Sequence, residues 1–151
     1  MGADRRLRRW MIVVGVIYLG MGLRLLPWIN GAMIEAGLGD IAAPGIDLVP
    51  GTVFFEFAVD WMGVFGLDLV VLGAVLLVAA RKPHEHRILV HVVIWQELIR
   101  GILADGWLMT RSYASVGFYL GFILFHSIVV LTGVRALRAE APDRTRVEVA
   151  P

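Results

Sequence analysis

Arg24, Asp68 and Arg100 each stand inside a long apolar run. A bare charge at the centre of a membrane-spanning helix costs roughly 2.5–3.5 kcal/mol on insertion-based scales, so it is normally paired or faces a cavity. Counted at the α-helical rise from the basic ends of their runs, the three lie about 21, 20 and 20 Å deep. Glu97 and His126, on the third and fourth runs, come at about 15 and 14 Å on the same rise. Asp105 falls at about 27 Å and Asp60 beyond about 30 Å, toward the opposite mouth. Two polar layers are therefore expected: Arg24–Asp68–Arg100 above Glu97–His126, with Asp60 and Asp105 as acids of the outer mouth. Gln96, Glu97 and Arg100 are three or four apart and share one face of an α-helix.

Such residues have three kinds of chemistry open to them. The arginines can hold an anion, with Asp68 as counter-charge. Glu97 and His126 can exchange a proton. All five can also simply pair, fixing which helix packs on which. The sequence leaves these alternatives open, because each fits charges at matched depth.

Other chemistries find no support. The chain has no cysteine, which removes thiolate metal sites, thiol catalysis and disulfides. It contains no phosphate-binding glycine loop, nucleophile elbow or H-E-x-x-H pair. Glu97 with His126 lacks the third ligand of a catalytic zinc site. His91, about 6 Å from the basic edge, does not match His126 in depth, as paired haem ligands would. His84 and His86, beside Glu85 in a connector, read as solvated. No catalytic residue, metal or cofactor is expected, and the chain reads as non-enzymatic.

Positioning these residues requires membrane helices. Hydrophobic residues make up 58% of 151 and the mean hydropathy is +0.76, outside the usual soluble range. Four runs are long enough to span: residues 10–29, 52–80, 88–110 and 115–134. In lipid, runs of this kind satisfy their backbone as helices. The expected fold is all-α, an integral membrane four-helix bundle within a single domain, residues 1–138. The charged tail, 139–151, reads as disordered.

Arg5, Arg6, Arg8 and Arg9 precede the first run, Arg81, Lys82 and Arg87 join the second to the third, and Arg135 and Arg138 follow the fourth. The first outer connector carries Glu35, Asp40 and Asp47 without a basic residue. The positive-inside rule then places both termini in the cytoplasm. Trp10 and Trp28 read as interfacial anchors of the first span. The connector over residues 30–51 is apolar for a loop, which fits either a short helix capping the bundle on its outer side or a plain apolar tether. Gly117 and Gly121 form a G-x-x-x-G, and Gly15, Gly20, Gly22, Gly66 and Gly73 form small faces, all permitting close helix contact within one chain or between two.

Val59-Asp60-Trp61, Gly66-Leu67-Asp68-Leu69, Trp95-Gln96-Glu97-Leu98-Ile99-Arg100-Gly101 and Gly121-Phe122 through His126 to Thr132-Gly133 together resemble the BphX-like family over residues 8–138. The general four-span layout is also similar to DoxX-like proteins. The BphX-like resemblance implies a small protein of the bacterial inner membrane and a link to aromatic-compound metabolism. It implies no catalytic residue. The function expected is binding or passage of a small amphipathic or aromatic molecule at the polar centre; the alternative is a structural or accessory subunit whose charges serve packing alone. The partners expected are the lipid bilayer, a small-molecule ligand and, through the glycine faces, a second copy of the chain. No nucleic acid is expected.

Overall fold

The computed structural model describes residues 2–36, 49–111 and 115–139. The described residues are helical: α1 (Gly2–Arg24), α2 (Pro27–Glu35), α3 (Val53–Ala79), α4 (Arg87–Gln96), a π-helical segment (Glu97–Leu103), α5 (Ala104–Met109) and α6 (Val116–Arg138). Two of these, α3 and α6, are long and apolar enough to cross a membrane, and a third if α1 and α2 count as one bent span. The tail expected to be disordered lies outside the described residues except for Ala139.

Side-chain caps start α3 and α6. Thr52 and Ser115 are extended, and each hydroxyl accepts the backbone N–H three residues on, from Phe55 and Phe118, at 3.2 Å. Such a bond supplies one of the four partners missing at a helix start. The first run behaves differently from expectation. It is helical from Gly2 but stops at Arg24, because Pro27 has no N–H and forces Leu26 into an extended conformation (ψ 141°). Pro27 then opens α2, bent 64° from α1 and packed on α3. Part of the apolar connector is thus the helix Pro27–Glu35; residues 37–48 lie outside the described ones.

Glycines set the α1–α3 contact. A Cβ on Gly22 would lie 2.5 Å from the Gly66 carbonyl oxygen, and one on Gly73 2.7 Å from that of Gly15. The two pairs are seven residues apart on each helix and run in opposite senses, so α1 and α3 are antiparallel with touching backbones. Contact this close is what small residues allow. The α4–π–α5 rod packs against α6 as a second pair. Its joints at Gln96, Glu97, Leu103 and Ala104 keep right-handed helical dihedrals, so residues 87–109 form one uninterrupted path.

The two pairs close on each other at the end carrying the basic clusters. Leu7, Met11, Leu76, Val90 and Val93 are fully buried there. Trp10 is not an interfacial anchor: it is 7% exposed, and its Nε1–H donates to Thr132 Oγ1 (3.0 Å) and the Val129 carbonyl (3.3 Å). A Cβ at Gly133 would meet this indole and Ile94, so the absence of a side chain there lets α6 approach. Trp28, by contrast, is exposed.

Outward faces are apolar. Ile88, Val92, Trp95, Ile99, Leu103 and Trp107 form one exposed stripe, and Val116, Leu120, Leu124, Ile128 and Leu131 another. Glu97 meanwhile is 4% exposed. Large apolar side chains outside and a carboxylate inside is an arrangement suited to a lipid surround rather than to water.

Candidate functional site

Away from the closed end the two helix pairs part around a cavity of about 390 Å³. The C-terminal half of α1, the middle of α3, the π segment with α5, and the first half of α6 form its walls. Phe118, Phe122 and Phe125 make an aromatic side, with ring centroids of Phe118 and Phe122 4.9 Å apart.

A chain of four ionisable side chains forms the base. The Tyr18 hydroxyl on α1 donates to Glu97 Oε1. Glu97 Oε2 lies 2.5 Å from His126 Nδ1 on α6. His126 Nε2 lies 3.4 Å from Asp105 Oδ2 on α5. Both Glu97 oxygens are committed, which is what a carboxylate buried among apolar groups requires. Asp105 is different: its Oδ2 is buried and makes no hydrogen bond, the approach to Nε2 being off the hydrogen-bonding direction.

The π segment makes this convergence possible. An i→i+5 helix turns every roughly 4.4 residues, so residues four apart nearly superimpose. In an α-helix Glu97 and Asp105 would diverge by about 80°. Through the π segment the divergence falls to roughly 30°, and Glu97, Gly101 and Asp105 present one face to His126. Gly101 is obligatory in that face, since a Cβ there would lie 2.3 Å from His126 Cγ. π segments of this kind occur frequently at functional sites.

The same widening separates Glu97 from Arg100, which the α-helical count had put on one face. Arg100 lines the cavity but is 46% exposed, with its Nη1 3.5 Å from Asp68 Oδ2 and its guanidinium 4.4 Å from the centre of the Phe65 ring. Asp68 is 61% exposed and faces away from the cavity. The pair is thus peripheral rather than interior. Arg24, the last residue of α1, lines the cavity beside it. Asp60 is exposed on α3 and does not line this cavity. Asp105, expected at the outer mouth, belongs to the buried chain instead.

Depth counting had set Glu97 with His126, and these meet. Tyr18 joins them; the same rise puts it about 12 Å beyond Trp10, in that layer. The aromatic side was passed over; Phe118, Phe122 and His126 recur every four residues, which is its signal. Glu97 and Asp105 approach opposite nitrogens of one imidazole, an arrangement for sharing protons, and among the described residues no three His, Asp or Glu converge on a common point for a metal ion.

A family model described as BphX-like matches residues 4–141. The chain belongs to the BphX-like family. An uncharacterised BphX-like protein of Burkholderia cepacia is 32% identical over 139 residues, covering 92% of this chain and 96% of that protein. An uncharacterised BphX-like protein of Paraburkholderia xenovorans strain LB400 shows the same identity over the same shares. No solved structure matches this BphX-like chain. The match takes in all of the cavity walls, so the Tyr18–Glu97–His126–Asp105 chain lies within the BphX-like region.

Proposed function

We propose that this BphX-like chain is a four-span protein of the bacterial inner membrane that binds or passes a small amphipathic or aromatic molecule, without catalysing a reaction on it. The spans are α1, α3, the α4–π–α5 rod and α6. The basic clusters at the closed end favour the cytoplasm for both termini, which sets the cavity in the outer half of the bilayer, with α2 beside its mouth.

The observation that carries the reading is the cavity itself. Its volume of about 390 Å³ lies within the range of small-molecule pockets. It joins an aromatic side to a few convergent polar groups, the usual composition of a ligand site. A purely structural role accounts for the peripheral Asp68–Arg100 pair, which ties α3 to the π segment. It supplies no reason for a four-residue polar chain, buried at Tyr18 and Glu97, to border an open space.

Native mass spectrometry of the purified chain tests this. The wild-type protein is expected to retain a bound small molecule, and a Phe122→Trp variant, whose larger ring takes up part of the cavity beside the aromatic side, to retain less of it. A wild-type chain that carries nothing and binds neither benzyl alcohol nor benzoate when these are added would favour the structural role.

A further inference from the structure

We infer that the cavity takes its ligand as an organic anion together with one proton, and that the His126–Asp105 end of the buried chain holds the proton. The inference rests on the ligand-binding reading above and names the ligand class.

The walls point to the class. Arg24 borders the cavity, and among the described residues nothing pairs with it. Its neighbour Arg100 is shared between Asp68 and the Phe65 ring. An apolar body against Phe118 and Phe122 and an anionic head at Arg24 would satisfy both surfaces. Guanidinium is the side chain best suited to holding a carboxylate.

The base points to the proton. Every element packed around His126 contributes to its field. Tyr18 and Arg24 come from α1, Glu97 and Arg100 from the π segment, Asp105 from α5, and Tyr119 from α6 itself. Asp68 on α3 acts only through Arg100, and α4 brings no ionisable group to the cavity. Two arginines against three carboxylates leave one negative charge when His126 is neutral, and none when His126 carries a proton. From either starting charge, an entering anion adds one negative charge beside the carboxylates of Glu97 and Asp105, which an unbalanced charge would repel. One proton per anion restores the balance.

A place for that proton already exists. Asp105 Oδ2 is a buried oxygen without a hydrogen bond, and the only such side-chain atom among the described residues. It stands 3.4 Å from Nε2, near enough that a small turn of either side chain lets one proton bridge the two atoms. A buried acceptor left without a partner is destabilising, so taking up a proton there is favoured. Both oxygens of Glu97 already have partners in Tyr18 and His126 Nδ1, which leaves Asp105 Oδ2 as the open position. No bond to the ligand forms or breaks: the proton comes from water and returns to water when the anion leaves.

The test compares benzoate with benzyl alcohol, its neutral counterpart, by titration calorimetry on the full chain in lipid nanodiscs, using buffers of different ionisation enthalpy. Benzoate stays ionised from about pH 6 to about pH 8.5, being a carboxylic acid. Its binding is expected to take up close to one proton, and its affinity to fall toward about tenfold per pH unit on the alkaline side. Benzyl alcohol is expected to bind with no proton uptake and no such slope. Arg24→Gln should weaken benzoate about tenfold or more, as expected for loss of a charged contact. In Asp105→Asn protein the uptake per bound benzoate should drop to near zero. Benzoate bound without proton uptake, or uptake that persists in Asp105→Asn, would overturn the inference. Benzyl alcohol bound with benzoate excluded would overturn the anion class and leave the ligand-binding reading standing. Binding of neither would remove both.

Discussion

Replacing Gly101 with alanine should unseat His126. The added Cβ would lie 2.3 Å from Cγ and 2.5 Å from Nδ1 of the imidazole, so the ring must retreat by about 1 Å to reach ordinary contact. Glu97 shares that face of the π segment, and a retreat from residue 101 is also a retreat from Glu97. The 2.5 Å contact between Nδ1 and Oε2 then lengthens to about 3.5 Å, the limit of a useful hydrogen bond. Losing a hydrogen bond to a buried charged group costs about 1.5–3 kcal/mol, and overpacking adds about 1–3 kcal/mol. The helix preference for alanine over glycine returns at most about 1 kcal/mol. A net loss of roughly 2–5 kcal/mol follows, read as a lower unfolding midpoint in detergent. Gly106→Ala is the control, since a Cβ there meets nothing within 4 Å, and it should be neutral or mildly stabilising. In a His126→Ala background the clash is gone, so adding Gly101→Ala should cost little. Equal behaviour of the two glycine variants, or an unchanged cost without the imidazole, would refute the placement of His126.

Other outcomes follow from the packing. Gly22→Ala and Gly66→Ala should each destabilise by about 1–3 kcal/mol, by pushing α1 off α3, while Gly20→Ala, in open space, should not; the unfolding midpoints of the three variants check this. Trp10→Phe and Thr132→Val should each cost about 0.5–1.5 kcal/mol, the usual range for one hydrogen bond, and the double variant clearly less than the sum, as a double-mutant cycle would show. Reporter fusions after Ala139 should be active in the cytoplasm and fusions near Gly39 outside it.

Much of the architecture was legible because it depends on composition and charge placement. The second and fourth apolar runs coincide with α3 and α6 to within a few residues, since a continuous apolar stretch capped by Thr52 or Ser115 leaves the backbone few alternatives. The break after Arg24 was less visible. Pro27 sits so near the expected end of the first run that counting hydrophobic residues passes over it. The π segment was hidden for a different reason: no residue type announces a widened turn, and the four-residue spacing of Glu97, Gly101 and Asp105 means little until the partner at His126 is known. Depth along a helix survives such local changes, and it correctly levels Glu97 with His126. Angle around a helix does not survive them, which is why Arg100 turns to the periphery and Asp105 inward.

Substituted-cysteine labelling tests most directly whether the outer half of the bundle holds an open cavity, because the native chain has no cysteine to confuse the result. Cysteines replacing Arg24 and Leu108, both lining the cavity, should react with a membrane-impermeant thiol reagent added from outside, and benzyl alcohol should slow the reaction. A cysteine replacing Leu76, fully buried at the closed end, should not react. Position 24 left unlabelled in folded protein, while a cysteine at Gly39 labels fully, would contradict the account.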